Sequence, residues 1–246
     1  MKTILKIKLD NSFYFFLLLI LLTGLFKEFT FIFILLFFHE LGHVMMGIIL
    51  KWQVISITFY PYGGKTLFNK RENSKINEEI LILLAGPISQ IITYHILNIF
   101  FSYNYIYSYH LTILIFNLLP ILTLDGGKLV NLLLNKIFNY LTSFYISIIL
   151  SFLTLISLLI FCLFNYQNLN LFLLLIFLFF KIIKSIKDIK YAYQRFLLER
   201  YLYDFKFKKG KITKNIYSFY KECYHYIDFQ DEKKYLNNYF CQNKNS

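Results

Sequence analysis

The chain has 246 residues, 57% of them hydrophobic, with a mean hydropathy of +0.52. That excludes an ordinary soluble domain of this length and points to several membrane spans. The formal net charge is +12, from 26 Lys and Arg against 14 Asp and Glu, and where that charge falls sets the topology.

Lys2, Lys6 and Lys8 precede the first apolar stretch, but no small-residue cleavage site follows it, so a removed leader is not expected. Six apolar runs cover residues 13–26, 29–50, 80–101, 105–124, 140–164 and 169–183. A spanning helix needs ~20 such residues, and the first run is short by that measure. With a cytoplasmic N-terminus, the outer loops are Lys27–Thr30, Ser102–Asn104 and Asn165–Asn168, and Lys27 is their one basic residue. The other basic residues face inside, as the positive-inside rule requires. The expected fold class is an all-α polytopic membrane protein. It has about six transmembrane helices, a membrane-dipping strand or hairpin and a short cytosolic C-terminal tail, with both termini cytoplasmic.

The second run contains His39-Glu40-Leu41-Gly42-His43, an HExxH pattern. On a helix, positions i and i+4 share a face, so two imidazoles can converge on one zinc ion while Glu40 acts as general base toward water. Phe29–Phe38 and Val44–Leu50 flank the motif without another charge. Ionisable groups at that depth normally face a protein interior and perform a function. The alternative is a polar contact between helices. Next in the chain, Gln53–Tyr60 is rich in β-branched and aromatic residues and is closed by Pro61-Tyr62-Gly63-Gly64. It reads as a strand or hairpin dipping toward the centre, or else as an interfacial connection.

In the third run, Gly86-Pro87 permits a kink and a close helix approach. His95 and His110 read as packing groups, and Tyr94 and Trp52 as packing or interfacial residues. The fourth run ends in FNLLPILTLDGGK, residues 116–128. Pro120 breaks a helix and Gly126-Gly127 permit a tight turn, which would present Asp125 to the interior. Zinc needs a third protein ligand if water is to take the fourth place. Among the carboxylates, Asp125 alone lies at the end of a predicted span; an interfacial Asp in a DGG turn is the plainer alternative. From Lys181 onward the chain holds 15 basic and seven acidic residues. This reads as a cytosolic segment that can meet anionic lipid; no motif in it suggests nucleic acid. Residues 182–203 can continue as a helix, and the remainder is short for an independent core. The three cysteines form no CxxC pair and read as reduced thiols.

HELGH in one span with N-x-x-P-x-x-x-x-D-G in a later one resembles the site-2 protease family of intramembrane zinc metalloproteases. FYPYGG at 59–64, LAGP at 84–87, NLLPILTLDGGK at 117–128 and RFLLERY at 195–201 resemble its sporulation branch. The resemblance covers residues 1 to about 203. It implies Zn2+ held by His39, His43 and Asp125, with Glu40 as catalytic base and Asn117 near the cleaved bond. It implies an extended substrate held by β-addition, with Ile55, Ile57, Phe59, Pro61, Gly63, Gly64 and Pro120 as contacts. It further implies a membrane-associated substrate, a pro-sigma factor, and inhibitory membrane partners. The setting would be the mother-cell membrane around the forespore. The implied division is a six-span core over 1–183 and a basic tail over 184–246, a helical linker plus a reduced remnant of the family's CBS domain. One departure is Thr123, where the branch often carries proline. A metal-ion transporter or an inactive scaffold could use the same polar cluster, although a transporter has no need of a base at Glu40.

Overall fold

The computed structural model describes residues 6–60, 63–101, 103–164, 169–207, 209–227 and 230–242. The chain divides into two compact units, residues 1–70 with 78–117, and residues 71–77 with 118–246.

The first unit opens with strand β1 (Lys6–Leu9) and helix α1 (Asn11–Thr23). Asp10 caps α1, its carboxylate accepting from the Ser12 N–H at 3.1 Å. Gly24 ends α1 with φ +73°, its N–H bonded to the Ile20 carbonyl, a left-handed cap that favours glycine. Helix α2 (Phe26–Ile49) begins directly after. The expected outer loop at Lys27–Thr30 is therefore the first turn of α2, because the glycine cap reverses the chain before the charged pair is reached. Strands β2 (Val54–Tyr60) and β3 (Gly63–Phe68) form the expected hairpin, antiparallel with Tyr60 opposite Gly63. Pro61, an expected substrate contact, lies outside the described residues.

The sheet corrects one expectation. β1 pairs in parallel with β2, from Lys6 beside Ser56 to Leu9 beside Phe59, so the strand order is β1-β2-β3. β2 is the central strand and offers no free edge to a substrate at Ile55–Phe59. Its Ile57 and Phe59 side chains are buried, packed with Phe13, Val44 and Val54. Phe59 meets the rings of Phe33 and Phe37 on α2 at 5.4 and 5.8 Å. Ile55 stays half exposed. Helices α3 (Ile76–Phe100, with Pro87 inside it) and α4 (Asn104–Leu118) complete the unit.

In the second unit the helix break falls where Pro120 predicts it. Residues 119–124 form turns ahead of α5 (Asp125–Asn135). The Leu122 N–H, left without a helical partner, donates to the Ser151 hydroxyl at 2.8 Å, as apolar surroundings demand. Gly126 and Gly127 have ordinary negative φ, so they are not the tight turn expected of them. A Cβ on either would come within 3.0 Å of the backbone of Leu118 or Ile121. The glycines let the incoming loop press onto the first turn of α5. Helix α6 (Tyr140–Phe164) meets α5 through small polar groups, with Asn131 Nδ2 donating to Ser147 Oγ at 3.2 Å.

Helix α7 (Leu169–Leu202) runs on past the sixth apolar run. Strands β4 (Lys209–Ile212), β5 (Cys223–Ile227) and β6 (Gln230–Asp231) and helix α8 (Glu232–Gln242) follow it. β4 pairs in parallel with β5, and β6 pairs antiparallel to it. This tail is too short to bury a core of its own and takes one from its neighbours. Ile216, Phe219, Ile227 and Leu236 pack with Tyr140 of α6 and with Tyr193, Phe196 and Leu197 of α7. All three cysteines are free thiols. Among the described residues, α2, α3 and α6 are long and apolar enough to cross a membrane, and α1 is apolar but short.

Candidate active site

α2 carries His39, Glu40 and His43, buried to 2%, 7% and 5% exposure within an apolar helix. The two imidazoles face each other, their Nε2 atoms 3.2 Å apart. Two nitrogens at ~2.0–2.1 Å from a tetrahedral zinc would stand roughly 3.4 Å apart, so the pair fits that ion. Each ring is turned by a partner on α3. His43 Nδ1 lies 2.7 Å from the Ile82 carbonyl, and His39 Nδ1 lies 3.0 Å from Gln90 Oε1. A carbonyl can only accept, so His43 is protonated at Nδ1 and holds its lone pair at Nε2.

The space in front of the pair is set by glycine. A Cβ on Gly86 would fall within 3.0 Å of Nε2 of both histidines. A Cβ on Gly42 would strike the Ala85 carbonyl oxygen and Ser89. The first glycine leaves room at the imidazoles and the second lets α2 and α3 approach. The Ser89 hydroxyl fastens that approach by donating to the Phe38 carbonyl.

Glu40 is held from the hairpin. Thr66 Oγ1 donates to Glu40 Oε2 at 2.7 Å. A Cβ on Gly64 would fall within 3.0 Å of the Glu40 Cγ, Cδ and Oε1. β3 therefore lies directly on the carboxylate, and among the described residues it pairs with β2 alone. Of the two strands of the hairpin, β3 has a free edge and β2 has none.

The other expected residues occupy defined local positions. Asn117 is half-buried in the last turn of α4, and Pro120 is half-buried in the break. Asp125, in the second unit, is buried and opens α5, where a helix N-terminus favours a carboxylate. Lys128 Nζ lies 3.0 Å from its Oδ1. His110 is a packing group as expected, stacked on Tyr94 at 4.4 Å, and His95 is exposed. Trp52 donates to Glu78 at 3.2 Å. Sequence reasoning missed Gln90 and Thr66, and took Gly86 as a residue for a kink and close helix approach, not as one that makes room for the imidazoles. The available signal was polarity, since Gln90 is an amide inside an apolar run.

No protein-family model matches the chain. Over 130 residues it is 33% identical to stage IV sporulation protein FB of Bacillus subtilis, a stretch covering 47% of this chain and 43% of that protein. Over 127 residues it is 33% identical to a zinc metalloprotease of Methanocaldococcus jannaschii, covering 46% of this chain and 37% of that one. The match spans less than half the length of either relative. The fold superposes on a site-2 protease from Methanocaldococcus jannaschii with a TM-score of 0.54 at 27% identity, over 75% of this chain and 93% of that one. The likeness in sequence and in fold is to the site-2 protease family, from which the solved structure comes.

Proposed function

We propose that this chain is an intramembrane zinc endopeptidase that hydrolyses a peptide bond in a membrane-associated protein near the cytosolic face. The observation that carries the reading is the His39–His43 pair on α2, Nε2 atoms 3.2 Å apart above Gly86, with Glu40 beside it. His39 and His43 would hold zinc through Nε2. Asp125, a buried carboxylate in the D-G of the family motif, is the proposed third ligand. Bound zinc lowers the pKa of water toward ~7 and polarises a carbonyl. Glu40, steadied by Thr66, takes the proton from the attacking water and returns it to the leaving amine. The Asn117 amide is the proposed donor to the developing oxyanion. The substrate lies extended along the edge of β3, so Gly63 and Gly64 take over the role first expected of Ile55, Ile57 and Phe59, and Pro120 stays a proposed contact. A Glu40 held by its own hydrogen-bond donor supports a base for hydrolysis over a transport site.

The likeness to the sporulation protein supports a pro-sigma factor as substrate, inhibitory membrane proteins as partners and the mother-cell membrane around the forespore as location. Six spans with both termini cytosolic, a core over 1–183 and a basic tail over 184–246 complete the reading. Co-expression with a candidate pro-sigma factor, wild type beside Glu40→Gln, tests it. Substrate shortening by the wild type alone is expected. Shortening by both would mean that another protease acts and would overturn the reading.

A further inference from the structure

Gln90 lies inside α3 with 0% exposure. A buried amide must find partners at both of its ends, and this one does so on two other helices. Its Oε1 faces His39 Nδ1 on α2 at 3.0 Å. Its Nε2 donates to the His110 carbonyl on α4 at 3.0 Å and stands 3.3 Å from His110 Nδ1. The His110 carbonyl can only accept, so the NH2 end must point to α4 and the oxygen to α2. A glutamine oxygen can only accept in turn, so His39 carries its proton on Nδ1 and presents the Nε2 lone pair. His43 reaches the same state against the backbone carbonyl of Ile82, a partner that no side-chain change removes. His39 depends on a side chain.

We propose that Gln90 is a positioning residue that fixes the tautomer and ring angle of His39 and thereby sets the affinity of the metal site. The inference rests on the zinc reading above. Partners of this kind typically change metal affinity 10–100-fold. The oxygen end does the work, and the NH2 end anchors it to α4. A neutral Glu has the same shape, can accept at one oxygen and can donate from the other. Met fills the volume and does neither.

The test uses the purified full chain in detergent with zinc as the probe, its affinity measured by competition with a chelator. Gln90→Met is expected to bind zinc at least tenfold more weakly than wild type, with Gln90→Glu within a few fold. The nitrogen NMR shifts of His39 in the metal-free protein should report Nδ1–H in wild type and mixed tautomers in Gln90→Met. Thermal unfolding of the metal-free forms separates a packing role, which would lower the midpoint and leave affinity untouched. Equal zinc affinity and an unchanged tautomer in Gln90→Met would overturn the role of Gln90 alone. Absence of zinc binding by the wild type would overturn the metal reading itself.

Discussion

Gly86 and Gly42 are both required by close contact, but what each would strike differs, and that separates their effects. An added methyl at Gly86 meets the Nε2 atoms of His39 and His43. The imidazoles must turn or move apart, and overpacking of this kind costs ~1–3 kcal/mol. Gly86→Ala should therefore weaken zinc binding roughly 5- to 150-fold while the metal-free protein unfolds near its usual temperature. Gly42→Ala meets the Ala85 carbonyl oxygen and Ser89 instead, so it should lower the unfolding midpoint. Chelator competition and a thermal melt on both variants check the contrast, and a reversed pattern would refute it. Thr66 acts on the neighbouring carboxylate. A hydrogen bond to a charged group contributes ~1.5–3 kcal/mol, so Thr66→Val should lower kcat by about tenfold or more with zinc content unchanged. Loss of zinc together with activity in Thr66→Val would show that the bond shapes the ligands, not the base.

Among the elements, β3 carries the substrate prediction. Proline removes one backbone donor at a time, so scanning Lys65–Leu67 should abolish cleavage at the position whose N–H faces the free edge, at Thr66 beyond the loss seen in Thr66→Val, and spare zinc binding throughout. Cleavage that survives every proline would exclude pairing along β3. How far this element could be read from the sequence depends on the distance between partners. Helices α1 to α4, α6 and α7 were legible because each contains a run of apolar side chains, and the break before Asp125 because Pro120 forces it; α5 and α8, which are not apolar runs, were not. The hairpin was legible from QVISITFY and the glycines after it. β1 was not, since Lys6-Ile7-Lys8-Leu9 reads as a basic flank and becomes a strand only beside Ser56–Phe59. That pairing turned the expected edge strand into a central one. Thr66 and Gln90 were missed for a related reason. Their partners are 26 and 51 residues away in the chain, beyond any local periodicity. HExxH was visible because its residues lie one turn apart.

At the scale of the molecule, RFLLERY has a structural meaning that its sequence did not disclose. Arg200, 3% exposed, donates to Glu232 at 2.8 Å, to Asn73 at 2.7 Å and to the carbonyls of Cys223 and Tyr220. Asn73 also donates to the Phe196 carbonyl at 2.9 Å, and the Ile76 N–H donates to Glu222 at 2.7 Å. The tail thus holds residues 71–77, the segment that continues in the chain into α3 and so into Ile82, Gly86 and Gln90. One histidine makes this anchor sensitive to acid. His225 is fully buried, its Nδ1 3.0 Å from Glu232 and its Nε2 accepting from the Tyr220 N–H at 2.8 Å. Only the neutral ring satisfies both, because a protonated Nε2 would face another donor. Burial above all, with Arg200 nearby, holds the His225 pKa below its ordinary 6.5, against the pull of Glu232. Burial also pushes Glu232 up, but His225 and Arg200 outweigh it and leave its pKa below 4.5. In both cases the folded chain binds fewer protons than the unfolded one. The contribution of His225 is complete above pH 6.5 and declines as the pH falls through its folded value, and that of Glu232 declines only below pH 4.5. Moving from pH 7.5 to about 5.5 therefore isolates the histidine from the glutamate. Gln at this position can donate to Glu232 and accept from Tyr220 without titrating. The thermal midpoint should fall on acidification in wild type and fall less in His225→Gln, a difference that subtracts the other four histidines. Parallel shifts in the two proteins would mean that the tail anchor is not where acid acts.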